Sequence, residues 1–577
     1  MRILTSIGII AIVLASITHS ASAQLEVYRS LNAPPIIFPP GDYGRAVYGV
    51  GDLDQDGCDD YVVGTPTALL NQGQVRAYSG RTNASLWTAS GGVFGSSFGF
   101  DVGRVGDLNN DGIPDVVVGD PLNDGGPGSN AGRVVVLSGA DGSFIFQMFG
   151  TQADERMGFS VAGAGDVDND GVDDIVAGAP FYDVFGETNN GRVRVISGAT
   201  QSFLYSVASP NSFDQMGYDV AGNFDYDGNG FSDIAVGAPL ANPNGFDSGE
   251  VRIYGLVPSS GGGLSISLVS LITGTSSGDH CGWSIATFED ITGDGVGDLA
   301  VSSPDEQNGL ATMSGHIRLH PGPGSFPSLH MIGNAFDRLG FSIANAGDVN
   351  GDGVDDIVAG AIDASPNTVD EGEVRVFSGR DGTLIASRLG DPAGGDYGFS
   401  VAGSGDLDGD GLHEIIVGDL ANQNVQVLNL PVAYPGSLED LHLGSSIDGA
   451  ALSLWPDRKL AFPGSLVTFN LFSPEGSYNG TIPATVGQLF STLSPPMSPG
   501  GFPEIHVNPS QAFVIYDGSN APPFAPALLP AQGLASAFVV PVGLSGSSLM
   551  IQGLSLSPSA QQMNNFFTAT NGQEIIF

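Results

Sequence analysis

Basic residues are scarce in this chain of 577 residues. Lysine and arginine together number 18, against 62 aspartates and glutamates, and Lys459 is the single lysine. The formal net charge of −44 leaves no basic patches with which to neutralise nucleic-acid phosphates. It also disfavours docking on anionic membrane surfaces. We therefore predict that the chain has no nucleic-acid partner.

Cysteine is almost absent, since the chain contains only Cys58 and Cys281. Two cysteines cannot define a disulfide framework. They also fall in the first and fifth of the repeats described below, which are not neighbours in a ring. We therefore predict that they form no intramolecular bridge.

Long hydrophobic runs are lacking beyond the first residues of the chain. Arg2 precedes the apolar run 3–17, which is followed by Ala21-Ser22-Ala23. A positive start, a short apolar segment and an A-x-A site are typical of a secretory signal peptide. We predict a signal peptide over residues 1–23 and no later membrane span, because no later stretch reaches about 18 apolar residues. The mature protein is then secreted, extracellular or in the cell envelope.

Glycine, in contrast, is abundant, and it recurs within a repeated phrase. The third copy reads MGFSVAGAGDVDNDGVDDIVAGAP at 157–180, and seven copies begin their acidic stretch at intervals of 55 to 65 residues. Each unit contains four short apolar or alternating segments, as 159–164, 174–179, 192–197 and 203–207 show, and a long helical periodicity is missing. Four strands in each of seven units predict an all-β, seven-bladed β-propeller over residues 24–432.

A closed ring needs one blade that joins the two ends of the repeat array. The segment Leu25–Ser30 precedes the first full repeat and is similar to the fourth strands of other units. We expect this segment to complete the seventh blade, whose last strand within the repeat is predicted around Asn424 to Leu428.

The acidic stretch of each repeat follows D-x-[DN]-x-[DN]-G-x-x-[DE] over nine residues. Ca²⁺ takes six to eight oxygen ligands at about 2.3–2.6 Å. Side chains at positions 1, 3 and 5 can meet in one concave turn, and the glycine at position 6 suits a positive φ. An apolar residue at position 7 can bind through its carbonyl oxygen, and position 9 adds a carboxylate. Position 8 varies, as expected of a residue that is not a ligand.

These positions make up the predicted calcium sites. The first loop supplies Asp52, Asp54, Asp56, Cys58 and Asp60, and the second supplies Asp107, Asn109, Asp111, Ile113 and Asp115. The third supplies Asp166, Asp168, Asp170, Val172 and Asp174, and the fourth supplies Asp225, Asp227, Asn229, Phe231 and Asp233. The fifth supplies Asp290, Thr292, Asp294, Val296 and Asp298, and the sixth supplies Asp348, Asn350, Asp352, Val354 and Asp356. The seventh supplies Asp406, Asp408, Asp410, Leu412 and Glu414.

Six of these loops are predicted to bind Ca²⁺ strongly, and the fifth is doubtful because Thr292 is a weaker neutral ligand. An EF-hand would need a glutamate at position 12 between two helices. Position 12 is apolar here and lies in a predicted strand. Solvated acidic turns without metal, and Mg²⁺ in place of Ca²⁺, are the alternatives.

At this point the sequence resembles the FG-GAP family, the β-propeller repeat of integrin α-subunits. Phe98-Gly99 matches the first part of the family motif, and Gly178-Ala179-Pro180 and Gly237-Ala238-Pro239 match the second. The resemblance covers about residues 25–430 and is closest to secreted bacterial members of the family. It implies a seven-bladed propeller with Ca²⁺ loops on one face and a ligand-recognition surface on the other.

Beyond the repeats, residues 438–577 have a different composition. Serine, proline and glycine surround short apolar runs at 466–473, 512–518, 536–544 and 548–557. This pattern predicts a small C-terminal β-sandwich-like domain. A stabilising cap and a surface-attachment module are both compatible with it.

The sequence predicts an exported, calcium-binding propeller that binds an extracellular protein or glycan at or outside the cell surface. A calcium-dependent polysaccharide lyase and a structural envelope component are the alternatives, and no catalytic residue is assigned. His316 and His320 lie on a predicted strand, which favours a surface strand face over a zinc site. The candidate ligand contacts are Tyr182, Phe185, Phe213 and Trp283.

Overall fold

The fold is known here from a computed structural model. It describes residues 23–33, 42–258, 264–309, 312–323, 329–365, 371–390, 396–409 and 411–430, together with eight strands between 442 and 576. The predicted signal peptide lies outside these residues except for Ala23, and so does Asp410 of the seventh loop.

Each repeat folds into one sheet in which successive strands pair antiparallel, so the structure is a seven-bladed, all-β propeller as predicted. The first three blades comprise Ala46–Gly51, Asp60–Thr65, Gln74–Tyr78, Ser85–Ser90; Val102–Val105, Asp115–Asp120, Arg133–Leu137, Phe144–Phe149; and Val161–Gly165, Asp174–Ala179, Arg192–Ile196, Phe203–Ala208. The fourth and fifth comprise Val220–Phe224, Asp233–Ala238, Glu250–Pro258, Leu264–Thr273; and Ile285–Phe288, Asp298–Ser303, His316–Pro321, Leu329–Ile332. The sixth comprises Leu339–Gly347, Asp356–Ala361, Glu373–Phe377 and Leu384–Leu389. The seventh comprises Tyr397–Gly403, Ile415–Asp419, Asn424–Asn429 and, from the N-terminus, Glu26–Asn32.

The N-terminal strand closes the ring, which confirms the expectation from the sequence. Glu26–Asn32 pairs antiparallel with Asn424–Asn429 as the outermost strand of blade seven. Just before it, Ala23–Gln24 pairs in parallel with the outer strand of blade six. Leu25 lies between these two strands and is fully buried in the core that blades six and seven share. One short segment therefore joins two blades.

The second strand of each blade is the most deeply buried, because it lies between two strands of its own sheet and between two neighbouring blades. All six residues of Asp174–Ala179 are buried, for example. The core therefore consists of apolar clusters between adjacent sheets, and each cluster draws on both blades.

Glycines of neighbouring blades meet at these junctions. A Cβ added to Gly178 would lie 2.0 Å from the carbonyl oxygen of Gly217, and one added to Gly237 would lie 2.2 Å from that of Gly282. Gly217 and Gly282 have φ of +87° and +82°. The two glycines of the repeated phrase are thus needed for close approach of the blades and for a left-handed backbone.

Strand direction gives the ring two distinct faces. The "acidic face" carries the loops between first and second strands and the turns between third and fourth strands. The "opposite face" carries the connections between second and third strands and those that lead to the next blade. In blade one, the connection between second and third strands contains Ala68–Asn71, a single turn in which Leu69 and Leu70 have positive φ.

Two further expectations concern cysteines and membrane spans. Cys58 and Cys281 are both buried and unbridged, as predicted. Among the described residues, no helix has the length and apolar character needed to cross a bilayer.

The described part of the C-terminal segment comprises eight strands in two sheets. One sheet consists of His442–Ile447, Leu466–Phe472 and Leu534–Val539. The other consists of Arg458–Leu460, Phe567–Ile576, Ser548–Leu556, Thr485–Ser491 and Phe513–Tyr516, in that order across the sheet. A β-sandwich-like domain over residues 438–577 stays a prediction.

Candidate functional site

The acidic loops share one backbone arrangement, which the third loop illustrates. Asp166 accepts hydrogen bonds from the backbone N–H of Asp170 through Oδ1 (3.0 Å) and of Gly171 through Oδ2 (2.9 Å). Gly171 has φ +90°, and Asp170 Oδ1 accepts from the N–H of Val172 at 3.0 Å. Position 1 thereby folds the loop around its own carboxylate, and glycine at position 6 allows the turn.

Position 9 has a structural role that the sequence analysis missed. Asp174 is fully buried, and it accepts hydrogen bonds from the backbone N–H of Val167 (3.0 Å) and of Gly198 (3.1 Å). Burial raises the pKa of this carboxyl to about 7. Each ninth residue begins a fully buried second strand or directly precedes one. Its place next to an apolar strand is the feature of the sequence from which its burial could have been predicted.

In four loops, positions 1, 3 and 9 lie close together. In the first, third, fourth and seventh loops, one carboxylate oxygen from each of these positions lies within 4.8 Å of the other two. The remaining loops carry an amide or hydroxyl at position 3, which donates to the carboxylate at position 9. These contacts are Asn109 Nδ2 to Asp115 (3.4 Å), Thr292 Oγ1 to Asp298 (3.1 Å) and Asn350 Nδ2 to Asp356 (3.0 Å).

The loops fit a hard divalent cation on the chemistry of their side chains. Asp168 Oδ1 and Asp233 Oδ1 are buried acceptors with no hydrogen-bond partner among the described residues. Such atoms call for a ligand, because buried polar groups are nearly always satisfied. A set of side-chain oxygens alone suits Ca²⁺ or Mg²⁺ rather than a transition metal. The clusters can therefore hold a cation, while the ligand set assigned from the sequence stays a prediction.

Positions 7 and 8 link the loops to the rest of the ring. Phe231 at position 7 packs against the core of its blades, as expected of a residue that offers only its carbonyl. At position 8, Asp59 exchanges two contacts with Asp406 of the preceding blade. Its N–H donates to the Asp406 carbonyl at 3.0 Å, and its Oδ2 accepts from the Asp406 N–H at 2.9 Å. Position 8 varies in sequence, but in the first loop its side chain and backbone tie adjacent loops together.

A channel of about 780 Å³ runs along the ring axis and is lined by all seven first strands. Where it opens toward the opposite face, six aromatic rings follow one another with centroids 4.9 to 5.6 Å apart: Phe100, Phe159, Tyr218, Trp283, Phe341 and Phe399. Arg45 takes the seventh place, with its guanidinium 3.9 Å from the centroid of Phe100 and 5.3 Å from that of Phe399. We call this closed circle the axial ring.

Next to the axial ring, side chains of one blade bond the backbone of the next. Asp101 accepts from the N–H of Val161 at 2.7 Å, and Asp219 accepts from the N–H of Ile285 at 2.8 Å. Ser160 donates its hydroxyl to Asp219 at 3.1 Å. Burial raises the pKa of Asp101 to about 6 and that of Asp219 to about 7. These carboxylates hold adjacent blades together. Their burial makes the ionised form less favourable than it is in water.

Replacing Asp219 by asparagine should change how stability depends on pH. The folded pKa of about 7 lies above the unfolded value of 3.8, so the contribution of Asp219 is full below about pH 4 and is lost as pH rises toward 7. We expect the free energy of unfolding of Asp219→Asn, relative to that of the native chain, to rise by up to about 4 kcal/mol between pH 4 and pH 8, the equivalent of a shift of about three pKa units. Urea unfolding at both pH values measures this, and an equal difference at both would contradict it.

Two models of known repeat families match parts of this chain. An FG-GAP repeat model matches residues 157–196 and 216–254, and an FG-GAP-like repeat model matches residues 52–118. These stretches cover acidic loops and inter-blade glycines of the described ring. The propeller contains FG-GAP repeats.

The FG-GAP propeller is also similar to integrin α chains. It is 35% identical over 214 residues to integrin alpha-5 of Xenopus laevis, covering 34% of this chain and 20% of that protein. It is 33% identical over 207 residues to integrin alpha-V of Gallus gallus, covering 33% of this chain and 19% of that protein. The matched region thus spans about a fifth of the length of these relatives. A secreted bacterial type stays a prediction.

Large apolar side chains are exposed on the opposite face of the FG-GAP propeller. Its connections carry Leu70, Val93, Phe94, Phe185, Phe213, Phe246, Met313 and Phe336, each 38% exposed or more. In the described part of the acidic loops, no large apolar residue reaches this exposure. Of the predicted contacts, Phe185 and Phe213 are therefore exposed. Trp283 lies in the axial ring, and Tyr182 stacks under the guanidinium of Arg192 at 3.7 Å.

The expectation of a surface face for His316 and His320 is wrong. The two residues are 4% and 8% exposed, because the third strand lies inside its sheet and is covered by the neighbouring blade. Burial lowers the pKa of both to about 4. His316 Nδ1 lies 2.7 Å from Nε2 of His330 on the next strand. Both residues belong to the interior of blade five.

Proposed function

We propose that this chain is an exported binding module in which calcium loops stiffen an FG-GAP propeller and the opposite face takes an extracellular protein ligand. The observation that carries the proposal is the uneven distribution of exposed apolar side chains. Among the described residues, eight of them lie on connections of the opposite face, whereas at the acidic face Phe144 and Leu384 begin outer strands and the loops themselves offer carboxylates. Exposed aromatic groups on rigidly held loops are typical of protein-binding sites.

Two phenylalanines of this face have an unusual backbone. Phe213 and Phe336 occupy equivalent connections, both have φ +66°, and they are 57% and 61% exposed. Gly95 and Gly278 stand at the same place in other connections, with φ of +82° and +81°. A bulky residue in the left-handed region is strained by about 1 kcal/mol or more. Exposed aromatic rings kept at positions that suit glycine support a role in binding.

The similarity to integrin α chains supports a binding or adhesion role for the propeller. The chain covers only about a fifth of those relatives, so its ligand is inferred from its own surface. The scatter of apolar side chains over several connections favours a broad protein surface as the ligand. A glycan stays the second ligand class for the experiment to decide.

The double variant Phe213→Gly/Phe336→Gly should separate binding from stability. Relief of backbone strain offsets the greater chain entropy of glycine, so we expect a melting midpoint within about 2 °C of the native value. Loss of two exposed aromatic contacts should weaken ligand binding by at least about tenfold. Binding is measured on arrays of extracellular proteins and of glycans, in calcium and in chelator, with native chain and variant side by side.

Phe144→Ser is the matched control. Phe144 is 59% exposed and starts an outer strand at its acidic-face end, so the control loses a similar aromatic surface elsewhere. We expect the control to retain every protein signal that the double variant loses. Equal signals from the native chain and the double variant, or glycan signals alone, would overturn the assignment of a protein ligand to this face.

A further inference from the structure

Two arginines of blade three lie buried side by side. Arg192 and Arg194 are two residues apart on one strand, so they project from the same face of the sheet, and each is only 5% exposed. Nη2 of each donates to Thr151 Oγ1, at 3.0 Å and 2.6 Å respectively. The two Nη2 atoms therefore lie within about 5.6 Å of each other. This is a close pair of like charges in a chain with a net charge of −44.

The positive charges of Arg192 and Arg194 are only partly balanced by nearby carboxylates. Glu155, which pairs with Arg192 and is fully buried, is the only carboxylate that forms an ion pair with either arginine among the described residues. Arg194 rests on the ring of Phe203, with 4.0 Å from the guanidinium carbon to the centroid. Arg192 Nε and the Nε and Nη1 atoms of Arg194 are buried, and no residue that the structure describes accepts a hydrogen bond from them. Three donor nitrogens and one positive charge thus remain unmatched.

Blades four and six show the opposite arrangement at the same place. In blade four, Arg252 lies between Glu250 (2.5 Å) and Asp214 (3.7 Å). In blade six, Arg375 lies between Glu373 (2.5 Å) and Asp337 (2.6 Å). One guanidinium there has two carboxylates, whereas in blade three two guanidiniums share one. Arg192 occupies the position of Glu250 and Glu373, and so reverses the local charge.

We propose that Arg192 and Arg194 form a binding site for one small inorganic anion, a halide or a compact oxyanion. A buried charge without a partner is unfavourable, and an anion would replace the missing carboxylate. Guanidinium groups with free N–H donors are suited to bind anions. Burial, followed by the neighbouring Arg192, lowers the pKa of Arg194 to about 10, in accord with unmatched positive charge. The 5% exposure of both residues limits the occupant to a small ion.

Bromide tests this site on the full chain. Thermal unfolding is followed as sodium bromide replaces sodium gluconate at constant ionic strength, since gluconate is too large to enter. We expect the native midpoint to rise by about 2–4 °C as the site saturates. Arg192→Glu recreates the arrangement of blades four and six, so its midpoint should not respond to the exchange. Glu250→Arg, the converse change in blade four, should gain a response.

Anomalous diffraction from bromide-soaked crystals of the native chain gives a readout that needs no variant. A peak within hydrogen-bonding distance of the two guanidiniums supports the site, even if the variants fail to fold. A peak elsewhere only, or water alone between the arginines, would overturn it. An equal bromide response of native chain and Arg192→Glu would also overturn it, because general salt effects would then explain the shift.

Discussion

Deletion of residues 24–32 should lower the melting midpoint by about 10 °C or more. The deletion removes the outer strand of blade seven, which has six residues in register with Asn424–Asn429. It also removes Leu25, which is fully buried between blades six and seven. Strand hydrogen bonds at about 1 kcal/mol each and a large buried side chain together suggest a loss of about 6–10 kcal/mol. Differential scanning calorimetry of native chain and deletion variant measures the loss.

Single substitutions in the same segment show whether closure is responsible. Leu25→Ala should destabilise the chain by about 2–4 kcal/mol, because it opens a cavity between two blades. Val27→Ala should have a much smaller effect, since Val27 is 36% exposed. A deletion variant that melts with the native chain would contradict closure by this strand.

Asp174→Ala and Asp168→Ala should differ sharply, although both change carboxylates of one loop. Asp174→Ala leaves the buried N–H groups of Val167 and Gly198 without an acceptor. We expect a loss of about 2–6 kcal/mol in chelator, and a larger loss in calcium because Asp174 is also a predicted metal ligand. Asp168 Oδ1 accepts no hydrogen bond from the described part of the chain, so Asp168→Ala should remove one bound Ca²⁺ and leave the stability in chelator nearly unchanged.

Denaturant unfolding with and without EDTA, together with calcium counting, distinguishes the two variants. In saturating calcium, Asp168→Ala should lose about 3 kcal/mol, the linkage expected for one site at a hundred times its dissociation constant. If Asp168→Ala were equally destabilised with and without calcium, its carboxylate would serve the fold and not a metal.

The blades could be predicted from the sequence because each repeat carries its own signals. The acidic loop, the paired glycines and the alternating strands recur seven times, and the strands predicted for the third unit match the structure within about two residues. The closing strand was predictable for the same reason, since Leu25–Ser30 is similar to a fourth strand. Local pattern and ring geometry agree here, which makes repeat folds readable from sequence.

Features that depend on contacts between blades were harder to predict. The axial ring needs side chains from seven repeats to meet, and alignment of the repeats would have placed Arg45 and six aromatic residues in one column. The structural role of position 9 depends on a distant contact, since the N–H that donates to Asp174 belongs to Gly198, 24 residues further along the chain. The burial of His316 likewise follows from the packing of the neighbouring blade and has no local signal.

Calcium binding by the seven loops is tested most directly by titration calorimetry of the metal-stripped chain. The arrangement of the loops predicts that at least six Ca²⁺ ions bind per chain. Their removal by EDTA should lower the melting midpoint markedly, because clustered carboxylates within 4.8 Å then repel one another. No heat of binding, together with identical melting curves in calcium and in EDTA, would contradict the assignment of these loops as metal sites.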